Sequence, residues 1–222
     1  MLPAVLLAGC AMTTSRDDTQ ALSYLALGDS YTIGEGVAPL DRWPMQLAAR
    51  LRADGVPLAD PHVIAATGWT TSELDAAIDA ARPSQSFDFV SLLIGVNNQY
   101  RGQSLDEYRV QFAALLERAV ALARGRGDRV LVLSIPDWGA TRFGARSGRD
   151  VTAIAGELDA YNAAARAICD ARGVAFVDIT AISRAHGAAD AMLADDGLHP
   201  SRAMYGLWTD AALPTARRLL AR

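Results

Sequence analysis

Leu25-Ala26-Leu27-Gly28-Asp29-Ser30 is an apolar run that stops abruptly at Gly-Asp-Ser. Aliphatic residues without polar alternation suit a strand covered on both faces, as in a parallel sheet, and Gly-Asp-Ser is turn chemistry placed at its end. The pattern recurs downstream. Candidate strands at 24–27, 62–66, 87–94, 129–135 and 174–178 alternate with helical patterns at 43–53, 72–82, 105–123, 151–171 and about 202–220. Asp54-Gly55, Arg82-Pro83, the glycines of 125–127 and Arg172-Gly173 supply the breaks. Strands and helices in alternation, with no internal repeat, predict an α/β domain built on a parallel sheet of five strands.

The bulk composition narrows the function classes. A chain of 222 residues, 51% of them apolar, holds enough material for one compact domain with a substantial core. Its formal net charge of −4 and dispersed arginines give no basic footprint for nucleic acid. All 21 basic residues are arginine, which excludes Schiff-base chemistry and a phosphate loop that needs lysine. The two cysteines, Cys10 and Cys169, are too few for a disulfide framework or a zinc site. Cys169 lies in an Ala-rich helical pattern and reads as a small buried residue.

The polar residues fall in one class of position. Ser30 follows the first strand, Gly68 the second, Gly95-Val96-Asn97-Asn98 the third, Pro136-Asp137-Trp138 the fourth, and Asp196-Gly197-Leu198-His199 a loop after the fifth. The carboxyl ends of parallel strands share one edge of a sheet, so these distant residues are predicted neighbours at a ligand-binding edge. Together they supply a serine nucleophile (Ser30), an imidazole base (His199) and a carboxylate (Asp196) three residues away, able to fold back onto one ring nitrogen. The Ser30 N–H, the Gly68 N–H and the Asn97 side-chain amide are candidate donors to the oxyanion that such a reaction creates. Of the other histidines, His62 precedes the second strand and His186 lies in an Ala/Gly-rich connection; neither belongs to a matching motif. With His199 engaged, no spaced histidine pair remains, so neither metal nor cofactor is expected. Trp69, Tyr100, Trp138 and Phe143 follow strand ends, where they either line a pocket or simply pack.

In order, Gly28-Asp29-Ser30, Gly68, Gly95-Val96-Asn97 and Asp196-Gly197-Leu198-His199 resemble the four blocks of the SGNH hydrolases, also called GDSL esterases and lipases. The likeness runs from about Tyr24 to the C-terminus. It implies a three-layer αβα sandwich around a mostly five-stranded parallel sheet, the flavodoxin-like SGNH hydrolase fold. It also implies Ser30 as nucleophile, His199 as base, Asp196 as its orienting acid, and Gly68 and Asn97 beside the Ser30 N–H in the oxyanion hole. The chain departs from the pattern at Asn98, where many relatives carry Asp; the expected effect is on loop support. The Gly-x-Ser-x-Gly elbow of α/β-hydrolases is absent. The activity implied is hydrolysis of a small or medium acyl ester through an acyl-serine, with a carbohydrate O-deacetylase using the same triad as the near alternative. A non-catalytic surface module is the alternative of a different class, and the complete triad argues against it. A flavodoxin-like cofactor binder would need a phosphate-cradling fingerprint, for which Gly34-Glu35-Gly36 alone is insufficient.

Residues 1–20 read separately from the domain at 21–222. Leu2 to Cys10 is an apolar start, too short to span a bilayer, and Leu7-Ala8-Gly9-Cys10 resembles the bacterial lipobox. That resemblance implies a lipidated Cys10, a polar tether over 11–20, and an exported, membrane-anchored protein. The departure is the front end, where no Arg or Lys precedes the apolar run: either the true start lies upstream of Met1, or this is a chance apolar terminus and, with Met1 as the mature start, the protein is cytoplasmic.

Overall fold

The computed structural model describes residues 21–83 and 86–221, and Cys10 with the expected tether lies outside them. Five strands, β1 (Tyr24–Gly28), β2 (His62–Ala65), β3 (Phe89–Leu93), β4 (Val130–Leu133) and β5 (Ala175–Val177), pair in parallel throughout, in the order β2-β1-β3-β4-β5. This is the parallel sheet expected from the alternation of strands and helices, in the three-layer αβα architecture that the family resemblance implied. Every residue of β1, β3 and β4 is buried, which explains their unbroken apolar runs. The edge strands differ from expectation: β2 and β5 are only partly covered, because each has a neighbour on one side alone.

The helices are α1 (Ser30–Ile33), α2 (Trp43–Ala53), α3 (Thr71–Ala81), α4 (Val96–Tyr100), α5 (Leu105–Leu122), α6 (Arg142–Arg146), α7 (Val151–Ala171), α8 (Thr180–His186) and α9 (Arg202–Leu220). α2 packs on α9, while α5 lies between α3 and α7. Right-handed crossovers from a sheet of this order put those two groups on opposite faces. Trp43, Leu47, Tyr205 and Trp208 fill the first layer, and Tyr108, Phe112, Leu115 and Leu158 the second, all fully or almost fully buried. Cys169 is buried on α7, where burial pushes its thiol up to about 12, consistent with a packing role.

The strand order fixes where chemistry sits. From β1 the chain crosses to one side to form β2 and then returns to the other to form β3, so β1 and β3 flank the point at which the winding reverses. Their ends are level, Gly28 pairing with both Ala65 and Leu93. A side chain at Gly28 would press on the Leu93 carbonyl at 2.5 Å, so glycine is required where β1 approaches β3 and the loops diverge.

Candidate active site

Ser30 is the first residue of α1, a single turn that starts where β1 ends. Asp29 caps it, its Oδ1 accepting the Tyr31 N–H at 3.0 Å, and Gly34 ends it in the left-handed conformation with φ 72°. The cap sets the direction of the turn and therefore of Ser30. Asp29 is completely buried, and its Oδ2 has no partner among the described residues. Burial pushes its carboxyl up to about 7, with the Tyr31 hydrogen bond opposing the rise.

Asp196 and His199 lie on one tight hairpin. Leu193 bridges Pro200, the Ala194 N–H donates to the His199 carbonyl at 2.7 Å, and the Gly197 N–H to the Ala194 carbonyl at 3.0 Å. Inside it, Asp196 Oδ1 accepts the N–H groups of Leu198 (2.8 Å) and His199 (2.9 Å), while Oδ2 lies 2.5 Å from His199 Nδ1. Burial works to raise the Asp196 carboxyl, but these hydrogen bonds, the one from the His199 ring foremost, outweigh it and hold the group below the usual carboxylate range. With Nδ1 donating to the carboxylate, Nε2 carries the free lone pair. The imidazole is nearly buried, and the Tyr31 ring packs 5.7 Å from it.

Ser30, Tyr31, Thr67, Gly68, Asn97 and His199 line one cavity of about 200 Å³, whose apolar wall is Val96, Tyr100, Trp138, Phe143 and Leu198. The structure thus brings Ser30, Gly68, Asn97 and His199 together, with Asp196 bound behind His199. Ser30 Oγ and His199 Nε2 share the cavity without a hydrogen bond between them, a separation common before a substrate is bound. A wider groove, about 660 Å³, runs between α5 and α7, but alanines and aliphatics with Arg109 line it, and it offers no nucleophile or base. Among the described residues, no three His, Cys, Asp or Glu side chains are placed to share a metal ion, and no helix is long and apolar enough to cross a membrane.

The β2–α3 loop carries Gly68 at φ 86°, a backbone conformation that strains any residue with a Cβ. Asn97 Nδ2 donates to the Trp69 carbonyl at 2.9 Å, which fixes the amide and leaves its second N–H for the cavity. Arg101 Nη2 donates to the Gly68 carbonyl at 2.5 Å, and Thr67 Oγ1 hydrogen-bonds Glu35. Asn98 is buried and takes no place in the cavity wall. Its Oδ1 accepts the Thr71 N–H at 3.1 Å and its Nδ2 reaches Gln103 Oε1 (2.6 Å) and Thr71 Oγ1 (2.7 Å), joining α4 to the start of α3.

Of the four aromatic candidates, Tyr100, Trp138 and Phe143 line the cavity, whereas Trp69 packs against the core. Trp138 Nε1 donates to Gln99 Oε1 at 2.8 Å, and the Phe143 N–H donates to the Gly197 carbonyl at 3.0 Å, so the wall is pinned to both α4 and the His199 hairpin. Asp137 supports the same wall rather than entering the cavity. Its Oδ1 accepts the Gly139 N–H and its Oδ2 pairs with Arg184 Nε at 2.8 Å. His62 is exposed and stacks on Phe87, and His186 is exposed at the end of α8. Sequence reasoning missed Arg101, Gln99 and Tyr31. Asn97, Arg101 and the intervening turn carry the signal for the first, but only once residues 96–100 are known to be helical.

The model of the GDSL-like Lipase/Acylhydrolase family matches residues 26–207, a span that includes every cavity-lining residue. No curated protein matches the sequence. Among solved structures, TesA is similar over 89% of this chain and 99% of its own, with a TM-score of 0.70 at 20% identity. The psychrotrophic esterase EstA from Pseudoalteromonas sp., in a form inhibited by monoethylphosphonate, is similar over 90% and 99%, with a TM-score of 0.67 at 16% identity. An acetyl xylan esterase variant from Geobacillus stearothermophilus covers 88% and 94%, with a TM-score of 0.66 at 22% identity. At these identities the likeness is one of fold.

Proposed function

Because the chain belongs to the GDSL-like lipase/acylhydrolase family, whose members hydrolyse esters, we propose that it cleaves a small or medium acyl ester through an acyl-serine formed on Ser30. One observation carries this reading: a serine, an imidazole braced by a carboxylate, and two further N–H donors converge on one cavity from four separate segments of the chain. Ser30 Oγ attacks the ester carbonyl as its proton passes to His199 Nε2. Asp196 holds the Nδ1–H and stabilises the imidazolium. The carbonyl oxygen takes up the negative charge and is met by the N–H groups of Ser30 and Gly68 and by the Asn97 amide. Collapse breaks the bond to the alcohol oxygen, which leaves with the proton from His199. A water molecule then repeats the sequence on the acyl-serine and releases the acid.

Ser30→Ala tests this directly. A fluorophosphonate that phosphonylates active serines should label the wild type and spare the variant, and turnover on an ester panel should vanish with the label. Equal labelling of the variant would refute Ser30 as nucleophile. The carbohydrate O-deacetylase remains the second reading because a 200 Å³ cavity receives an acetyl group as readily as a longer short acyl chain. Including acetylated oligosaccharides in the panel separates the two.

Membrane attachment through a lipidated Cys10 belongs to the same proposal and rests on Leu7-Ala8-Gly9-Cys10. One acyl chain binds a membrane only marginally, so firm anchoring requires more than one. Mass spectrometry of membrane-fraction protein should find the modification on Cys10, and its absence there would overturn the anchor while leaving the esterase reading intact.

A further inference from the structure

Asn97 and Arg101 stand one helical turn apart, the Arg101 N–H donating to the Asn97 carbonyl at 3.0 Å. Their side chains hold consecutive carbonyls of the β2–α3 loop: Asn97 takes that of Trp69 at 2.9 Å and Arg101 that of Gly68 at 2.5 Å. Arg101 is itself anchored. Its Nη1 donates to both oxygens of Glu73, at 3.1 and 3.2 Å, and Glu73 completes the capping box of α3 by accepting the Thr70 N–H at 2.8 Å.

Apart from the hydrogen bond of Thr67 Oγ1 to Glu35, the loop's own backbone restrains Gly68 only weakly. Gly68 sits where a turn demands positive φ, and the residue that permits this conformation also permits many others. The bond that closes the turn, from the Trp69 N–H to the Ala66 carbonyl, is 3.3 Å long, beyond the usual N–H···O range. A guanidinium suits the task because its fork of donors serves a carbonyl and a carboxylate at once, which an ammonium point charge does not.

Resting on the acyl-serine reading above, we infer that Arg101 is a positioning residue for the oxyanion hole. It ties Gly68 to the helix that carries Asn97, so that the two donors keep a fixed spacing. Arg101 does not line the cavity, and its side chain is about half exposed on the outer side of the loop. Its action therefore passes through Gly68 rather than through contact with substrate.

Arg101→Ala should lower kcat about 10- to 100-fold with KM changed less than about threefold, the signature of a misplaced transition-state donor. Arg101→Lys, which keeps the charge and the stem but not the fork, should fall between wild type and Arg101→Ala, and it carries the comparison if the alanine variant melts early. In a Gly68→Ala background, where the donor is already displaced, Arg101→Ala should cost less than about a further threefold. Full kcat in both Arg101 variants would overturn the inference, as would a loss confined to KM or an undiminished effect in the Gly68→Ala background. Wild-type turnover and fluorophosphonate labelling of Ser30 are measured alongside. If both fail, the acyl-serine reading falls; if both succeed while Arg101 variants keep full kcat, only the positioning role falls.

Discussion

Asp29 caps the Ser30 turn with one carboxylate oxygen while the other is buried without a partner among the described residues. Its carboxyl, raised to about 7 by burial, has a defined effect on stability. Below the unfolded-chain value of about 3.9 both states hold the proton. Between there and 7 the unfolded chain releases it while the folded protein keeps it, so folding loses free energy as pH rises through this window. Asp196 acts in the opposite sense: its depressed value adds stability above the unfolded value, and that stability is lost only as the pH falls below about 4. Asp29→Asn keeps an amide oxygen for the cap and removes the buried charge. Thermal melts from pH 5 to 8 should fall more steeply for wild type than for Asp29→Asn, and the variant should be the more stable at pH 8, by about 1–4 kcal/mol. Parallel curves would show that the carboxyl does not titrate there. Such a group is invisible in sequence, where Asp29 reads as turn chemistry. Ser30, Gly68, Asn97, Asp196 and His199 were legible because each stands in a short local motif past a strand. Arg101 was not, because its partner Gly68 is reached only through a helix too short to show a period.

At the scale of elements the same limit explains which helices were foreseen. α2, α3, α5, α7 and α9 run 11 to 21 residues, long enough for an apolar face to repeat. α1, α4, α6 and α8, of four to seven residues, read as loops. The expected strand at 87–94 is trimmed at both ends, since Phe87 and Ile94 are buried but lie outside the ladder. The junction of α3 and α4 gives a prediction of its own. At Asn98, aspartate would keep the acceptor for the Thr71 N–H but lose the two donated bonds, unless the Gln103 amide turns to donate in return. Asn98→Asp should therefore cost about 1 kcal/mol and leave kcat nearly unchanged, whereas Asn98→Ala strands the buried Thr71 N–H and should cost about 2–3 kcal/mol. Equal losses in chemical denaturation would show that the side chain merely fills space.

For the whole molecule, the sequence disclosed a parallel sheet but not the order of its strands, because the apolar runs of β1 and β3 are alike and order arises from pairing between distant segments. That order places the cavity at the winding reversal, and at about 200 Å³ the cavity lies below the range of roughly 300–1,000 Å³ typical of sites for drug-sized ligands. Turnover on esters of one alcohol should be highest for short acyl chains and fall steeply for long ones. Phe143→Ala removes part of the wall that α6 supplies after β4 and should shift the optimum to longer chains. An unchanged chain-length profile would place the acyl group elsewhere.

Asp196 and His199 share a single hairpin, between Leu193 and Pro200, and α9 follows it immediately to pack on α2. During synthesis Ser30, Gly68 and Asn97 leave the ribosome well before either Asp196 or His199. On the acyl-serine reading, a nascent chain that ends before residue 193 therefore carries Ser30 without the imidazole that would take its proton. On that reading, reactivity has to wait until the 193–200 hairpin has been made and α9 has packed on α2 behind it.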